Sequence, residues 1–178
     1  MKKTTIGLTG LFLAAFVVQA PTVSLADDLI VEFADSSWTG NRIPDGQHCK
    51  KFGGNGATPP LTISGIPAEA DAIVIEYNDK SYNKLSYDGG HGKIGYRITP
   101  GAGTATLPAV PGGTSDMPDG VWLVKKNRAT GAWRSEGYLP PCSGGKGNRY
   151  EAEVYAVKME GDDDYDELAE GEIRLGKY

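Results

Sequence analysis

The chemistry open to this chain is narrow: two histidines, His48 and His91, and two cysteines, Cys49 and Cys142, in 178 residues. A nucleophile-and-base site needs a serine or cysteine brought to a histidine, and neither G-x-S-x-G nor a phosphate loop ending in Lys-Ser/Thr occurs. Gly144-Gly145-Lys146-Gly147-Asn148 has the glycines and lysine of a phosphate cradle, but the residues after it read as a strand where a cradle needs a helix. His48 beside Cys49 suggests half of a metal site, and no second pair at ligand spacing completes it. The acids Asp162, Asp163, Asp164, Asp166, Glu167 and Glu170 lack the central glycine and terminal acid of an EF-hand loop and read as a solvated face. Carboxylate pairs for glycoside hydrolysis can be drawn from 23 acids in many ways, so none is singled out. The expectation is binding rather than catalysis, with no cofactor and no metal.

Composition sets the setting for that binding. With 25 Gly and 11 Pro, 39% apolar residues and a formal net charge of −5, one turn-rich domain of mostly β structure is expected. Lys2 and Lys3, the apolar run Ile6 to Val18 and the small residues of Ser24-Leu25-Ala26 have the form of a secretory signal, with cleavage after Ala26. The domains are then residues 1–26, removed, and 27–178, a single domain that is periplasmic or secreted and bacterial. An acidic chain with no basic run longer than two residues is a poor nucleic-acid binder, and no second apolar stretch reaches membrane length. In an oxidising compartment Cys49 and Cys142 have only each other as intramolecular partners, which predicts a structural disulfide.

Strands must position whatever site exists. Leu29-Ile30-Val31-Glu32-Phe33 reads as a first strand, and Ala72-Ile73-Val74-Ile75-Glu76-Tyr77 as one buried on both faces at a sheet's centre. Lys93 to Ile98 and Tyr150 to Lys158 alternate as strands, the second with Tyr, Ala, Val, Ala on one face. Val121 to Lys125 is a further strand candidate. The proline- and glycine-bearing stretch from Thr99 to Gly113 reads as an irregular crossover, Gly161 to Gly171 as a short helix, and Glu172 to Tyr178 as an edge strand or tail.

Three separated segments resemble one family. Asn55-Gly56-Ala57-Thr58-Pro59-Pro60-Leu61-Thr62-Ile63-Ser64-Gly65-Ile66-Pro67 is similar to the N-x-S/T-P-P-L-x-W-x-G-x-P segment of the phosphatidylethanolamine-binding proteins (PEBP), which include Raf kinase inhibitor protein and its bacterial relatives. Gly137-Tyr138-Leu139-Pro140-Pro141-Cys142 through Asn148-Arg149-Tyr150 resembles that family's G-Y-x-G-P-C-P-P-x-G-x-H-R-Y, and Met117-Pro118-Asp119-Gly120 with Asn127 resembles its L-P-x-G and Asn. The resemblance implies a β-sandwich with Greek-key connections and a few short helices, and a non-catalytic binding protein, monomeric or homodimeric. It also implies a small pocket at one end of the sandwich for a polar or anionic, phosphate-like ligand or a partner protein.

That pocket would be built from Asp79, His91, Pro141, Asn148, Arg149 and Tyr150. Its motifs depart from the family at several points. D-P-D becomes Tyr77-Asn78-Asp79, the strand histidine aligns with Gly92 one place after His91, and H-R-Y becomes Asn148-Arg149-Tyr150. His91 can serve only if the glycine-rich loop before it shifts register. Asn148 donates and accepts hydrogen bonds but cannot become a cation, which weakens charge-assisted capture of phosphate. A scaffold with a decayed pocket, engaging an envelope or host protein, is the alternative.

Overall fold

The computed structural model describes residues 28–161 and 164–178. The signal read at residues 1–26, and Asp162 and Asp163, lie outside the described residues. Eight strands among them, all paired antiparallel, form two sheets. The smaller sheet holds β1 (Ile30–Phe33), β2 (Leu61–Ser64) and β5 (Thr104–Leu107), in the order β1-β2-β5. The larger holds β3 (Ala72–Asp79), β4 (Gly92–Arg97), β6 (Val121–Lys125), β7 (Arg149–Met159) and β8 (Tyr165–Lys177), in the order β6-β4-β3-β7-β8. The chain changes sheet between β2 and β3, on either side of β5, and so closes a sandwich.

The core lies between the sheets. Leu61, Ile63 and Leu107 of the smaller sheet belong to one cluster with Ile73, Ile75, Ile94, Tyr96, Ala152, Val154 and Ala156 of the larger. β3 is buried at all eight positions, as its unbroken apolar run predicts. Its outward side chains Ala72 and Val74 form a second cluster with Val157, packed by Trp122, Val124, Tyr155, Met159 and Tyr165. Trp122 can lie flat there because β4 carries Gly95 beneath it; a Cβ at Gly95 would stand 2.2 Å from the indole.

Three expectations need correction. The family-derived short helices are 3-10 turns, at Lys50–Phe52, Asn83–Leu85 and Gly131–Trp133, and no α-helix occurs among the described residues. The crossover from Thr99 to Gly113 contains a strand, β5, which pairs with β2 from Leu61↔Leu107 to Ser64↔Thr104. Of the acidic segment read as a short helix, Tyr165 to Gly171 is the first half of β8. It pairs with β7 from Met159↔Tyr165 to Arg149↔Lys177, and this pairing overrides the helix propensity of its Ala, Leu and Glu residues.

Cys49 and Cys142 form the expected disulfide. It joins the start of the Lys50–Phe52 turn to the loop entering β7, and a backbone bond from Cys49 N–H to the Pro141 carbonyl, 3.0 Å, runs beside it.

Candidate functional site

Antiparallel register gathers the site from distant stretches of chain. Asp79, the last residue of β3, is paired with Tyr150 of β7, and Tyr77 is paired with Gly92, the first residue of β4. Tyr77 and Asp79 are two apart on a strand and share a face, the face toward the other sheet. His91 precedes β4 and is held there by two backbone bonds of 2.8 Å: its N–H donates to the Tyr77 carbonyl, and its own carbonyl accepts from Leu139 N–H. In this loop Gly89 and Gly92 take φ of 60° and 120°, angles that favour glycine.

Asp79, His91, Asn148 and Tyr150 line one cavity of about 410 Å³ at this end of the sandwich. Asp79 is 4% exposed and His91 3%. The Asp79 carboxylate accepts from Ser81 N–H at 2.9 Å and from the Asn148 side-chain amide at 2.7 Å. Asn148 lies on the cavity lining, tied to the acid by a neutral donor. The His91 ring stands edge-on to Tyr150 with centroids 5.3 Å apart. Tyr150 Oη accepts from Cys142 N–H at 3.2 Å, which couples the disulfide loop to the cavity floor. Burial pushes the Tyr150 hydroxyl up to about 12, so it stays protonated across the physiological range.

His91 Nδ1 lies 2.7 Å from the Leu139 carbonyl, which can only accept, so this nitrogen carries the proton. Burial lowers the ring's pKa; the Leu139 bond and the Asp79 charge oppose that without reversing it. The ring is neutral at neutral pH, and its Nε2 is a buried lone pair with no partner.

Pro141 and Arg149 are placed elsewhere. Pro141 is buried and acts through its carbonyl, the acceptor for Cys49 N–H. Arg149 begins β7 one residue from both Asn148 and Tyr150, so strand alternation turns it the other way; it is exposed, and its N–H donates to Ser81 Oγ at 3.0 Å. Neither lines the cavity.

The walls come from residues that motif reading does not single out. Tyr82, Lys84 and Leu85 form one side, Trp133 and Leu139 another. Arg128 fastens the first: its guanidinium donates to the carbonyls of Lys84 (3.2 Å), Tyr87 (2.6 Å) and Asp88 (2.7 Å). Backbone carbonyls carry no residue signature, so no motif could have announced this clamp. Asp88, in left-handed conformation at φ 51°, also takes Lys93 Nζ at 2.8 Å and Lys125 Nζ at 2.5 Å.

These lysines, Lys125 first and then Lys93, lower the Asp88 pKa from 3.8 to about 2. A depressed folded pKa means stabilisation that is complete above the unfolded value and lost as pH falls through the folded one. Between about pH 4 and pH 2, stability should therefore fall less in Asp88→Asn than in the parent chain. Urea midpoints at half-unit pH steps check this, and parallel curves for the two proteins would refute it.

Neither a family profile nor a curated protein matches the chain. Solved structures do. A Chlamydia trachomatis protein described as a phosphatidylethanolamine-binding protein homolog is 22% identical, with 85% of this chain and 97% of that one covered and a TM-score of 0.51. Escherichia coli YbcL, described as a new member of the mammalian PEBP family, is 20% identical, with 85% and 98% covered and a TM-score of 0.54. The chain has the fold of these proteins.

Proposed function

We propose that this chain is a divergent PEBP-family binding protein, exported after removal of residues 1–26, that holds a small polar ligand in the cavity lined by Asp79, His91, Asn148 and Tyr150. The observation that carries this reading is the cavity of about 410 Å³ on whose lining Asp79, His91, Asn148 and Tyr150 converge from separate stretches of chain. A cavity of this size, with a few convergent polar groups beside the apolar Leu85, Leu139 and Trp133, has the form of a small-molecule site. Binding without turnover is supported by how the serine on the lining is used. The Ser143 hydroxyl on the lining donates to the Tyr178 carbonyl at 2.5 Å rather than to His91. A protein partner is the second reading, favoured by Tyr82, Tyr87 and Trp133, large aromatics 49%, 61% and 42% exposed around the cavity mouth and its clamp loop.

Thermal shift against amine, alcohol, carboxylate and phosphate compounds tests the first reading. At least one class should raise the melting temperature at millimolar concentration, and Asn148→Ala should reduce the shift. No shift from any class would sink it. Pull-down from periplasmic extract tests the second, and there Asn148→Ala should be silent.

A further inference from the structure

We propose that a second cavity, beside the Cys49–Cys142 disulfide, is a binding site for a small organic dianion, two carboxylates on a flat apolar body. Its volume is about 290 Å³. It shares Trp133, Leu139 and Cys142 with the cavity described above and holds none of Asp79, His91, Asn148 and Tyr150, so it stands or falls independently of the binding reading given there.

Two 3-10 turns bring its charges together. Cys49 fixes the start of the Lys50–Phe52 turn through the disulfide and through its N–H bond to the Pro141 carbonyl. The Gly131–Trp133 turn packs against the first: the Phe52 and Trp133 rings are 5.7 Å apart, and Lys51 Nζ stands 4.5 Å from the Trp133 ring centre. Arg134 follows directly, its N–H bonded to the Gly131 carbonyl at 3.2 Å. Lys50, Lys51 and Arg134 therefore reach one lining, on which Glu136 is the single acid among the described residues.

This grouping runs against the composition. The chain carries 23 acids to 18 bases, and Lys80, Lys93, Lys125, Arg128 and Lys158 each form an ion pair. Among the described residues no acid lies within ion-pair distance of Lys50, Lys51 or Arg134. Like charges gathered at one cavity repel, and an anion seated among them relieves that cost. Three cations against one acid leave two positive charges in excess, which a dianion neutralises. The cations come from two turns, so the charge is divided between two places, and two separated carboxylates match it better than one phosphate. Arg134 offers a planar fork that fits a carboxylate, and Lys50 and Lys51 offer point charges. Trp133, Leu139 and Pro140 supply the apolar wall for a flat body. The three cations are exposed, so each carboxylate should gain only about fivefold in affinity, and salt should weaken the gain.

Calorimetry at neutral pH and low salt, with isophthalate, benzoate, benzamide and phenyl phosphate as probes, tests the assignment. Isophthalate should bind tightest, with benzoate about fivefold weaker and benzamide about fivefold weaker again. At about 1 M salt the three should converge. Lys51→Gln/Arg134→Gln should remove the preference for isophthalate over benzamide, and Glu136→Gln should raise isophthalate affinity about fivefold. Lys126→Gln is the control for overall charge: it is exposed and on neither lining, and affinity should stay within about twofold. If the double variant does not fold, Glu136→Gln and the salt series carry the decision. Benzamide binding as tightly as isophthalate, phenyl phosphate binding more tightly, a preference that survives the loss of both cations, or a loss as large in Lys126→Gln overturns the proposal. So does the absence of isophthalate binding at millimolar concentration. None of these results touches the reading of the Asp79 cavity, because Lys51 and Arg134 are not on its lining.

Discussion

Reduction of the Cys49–Cys142 disulfide is expected to lower the free energy of unfolding by about 4 to 5 kcal/mol. The bond closes a loop spanning 93 positions, and the chain-entropy estimate for such a closure is large because the reduced unfolded chain regains that freedom. A domain's total stability is only about 5–15 kcal/mol, so the reduced protein should approach its folding threshold and melt roughly 10–15 °C lower. The mechanism carries its own signature. If the effect lies in the unfolded state, the denaturant slope should rise on reduction, because a chain freed of its cross-link exposes more surface when it unfolds. A local effect should accompany the global one. Cys142 N–H donates to Tyr150 Oη, and Cys142 lines the cavity, so ligand affinity should fall in Cys49→Ser/Cys142→Ser under conditions where the variant is still folded. Urea titrations of the oxidised, reduced and doubly substituted proteins measure both effects, with intact mass confirming the redox state. Two free thiols in the native protein, or an unchanged midpoint on reduction, would refute the assignment.

What could be read from residues alone divides by the kind of interaction involved. β3 and β7 were legible because burial acts on side chains: an unbroken β-branched run for the strand buried on both faces, and alternation for its neighbour. The first half of β8 was not, because its Ala, Leu and Glu residues suit a helix and its strand state comes from the long ladder it makes with β7, a non-local pairing; the second half, Glu172 onward, was read as an edge strand or tail. The disulfide followed from counting cysteines. At the site, Asp79, His91, Asn148 and Tyr150 were reachable through the family resemblance, and the structure brings those four together. Arg149 shared the motif but sits at the wrong phase of the strand to join them. The Arg128 clamp was invisible because its partners are main-chain oxygens, and a guanidinium seeking carbonyls can be met by any sequence that folds a loop beside it.

Gly90→Ala should unfold this end of the sandwich at a cost of about 3–5 kcal/mol, the second large effect. Gly90 does not have a positive φ, so alanine's backbone preference is not at issue and contact alone decides. A Cβ at this position would stand 2.2 Å from the Leu85 carbonyl oxygen and 2.4 Å from the Leu85 carbonyl carbon and Cα. These are main-chain atoms with no rotamer to escape into, so the Asn83–Leu85 turn must move as a body. Overpacking of this kind costs about 1–3 kcal/mol and sometimes more. A further loss comes from Asn78, which is 1% exposed and whose Oδ1 accepts Gly90 N–H at 2.9 Å. Its Nδ2 has no partner, so parting from Gly90 would strip the buried amide of that bond as well, at about 1–3 kcal/mol. Because Leu85 and Lys84 line the cavity, the displaced turn should also open the wall, and affinity for whatever ligand binds should fall together with stability. Gly161→Ala is the control: no described atom lies within 4 Å of its Cβ position, and the change should stay within about 0.5 kcal/mol. Urea unfolding of the two variants makes the comparison. Equal midpoints would mean that the turn yields freely and that Leu85 is not held against Gly90.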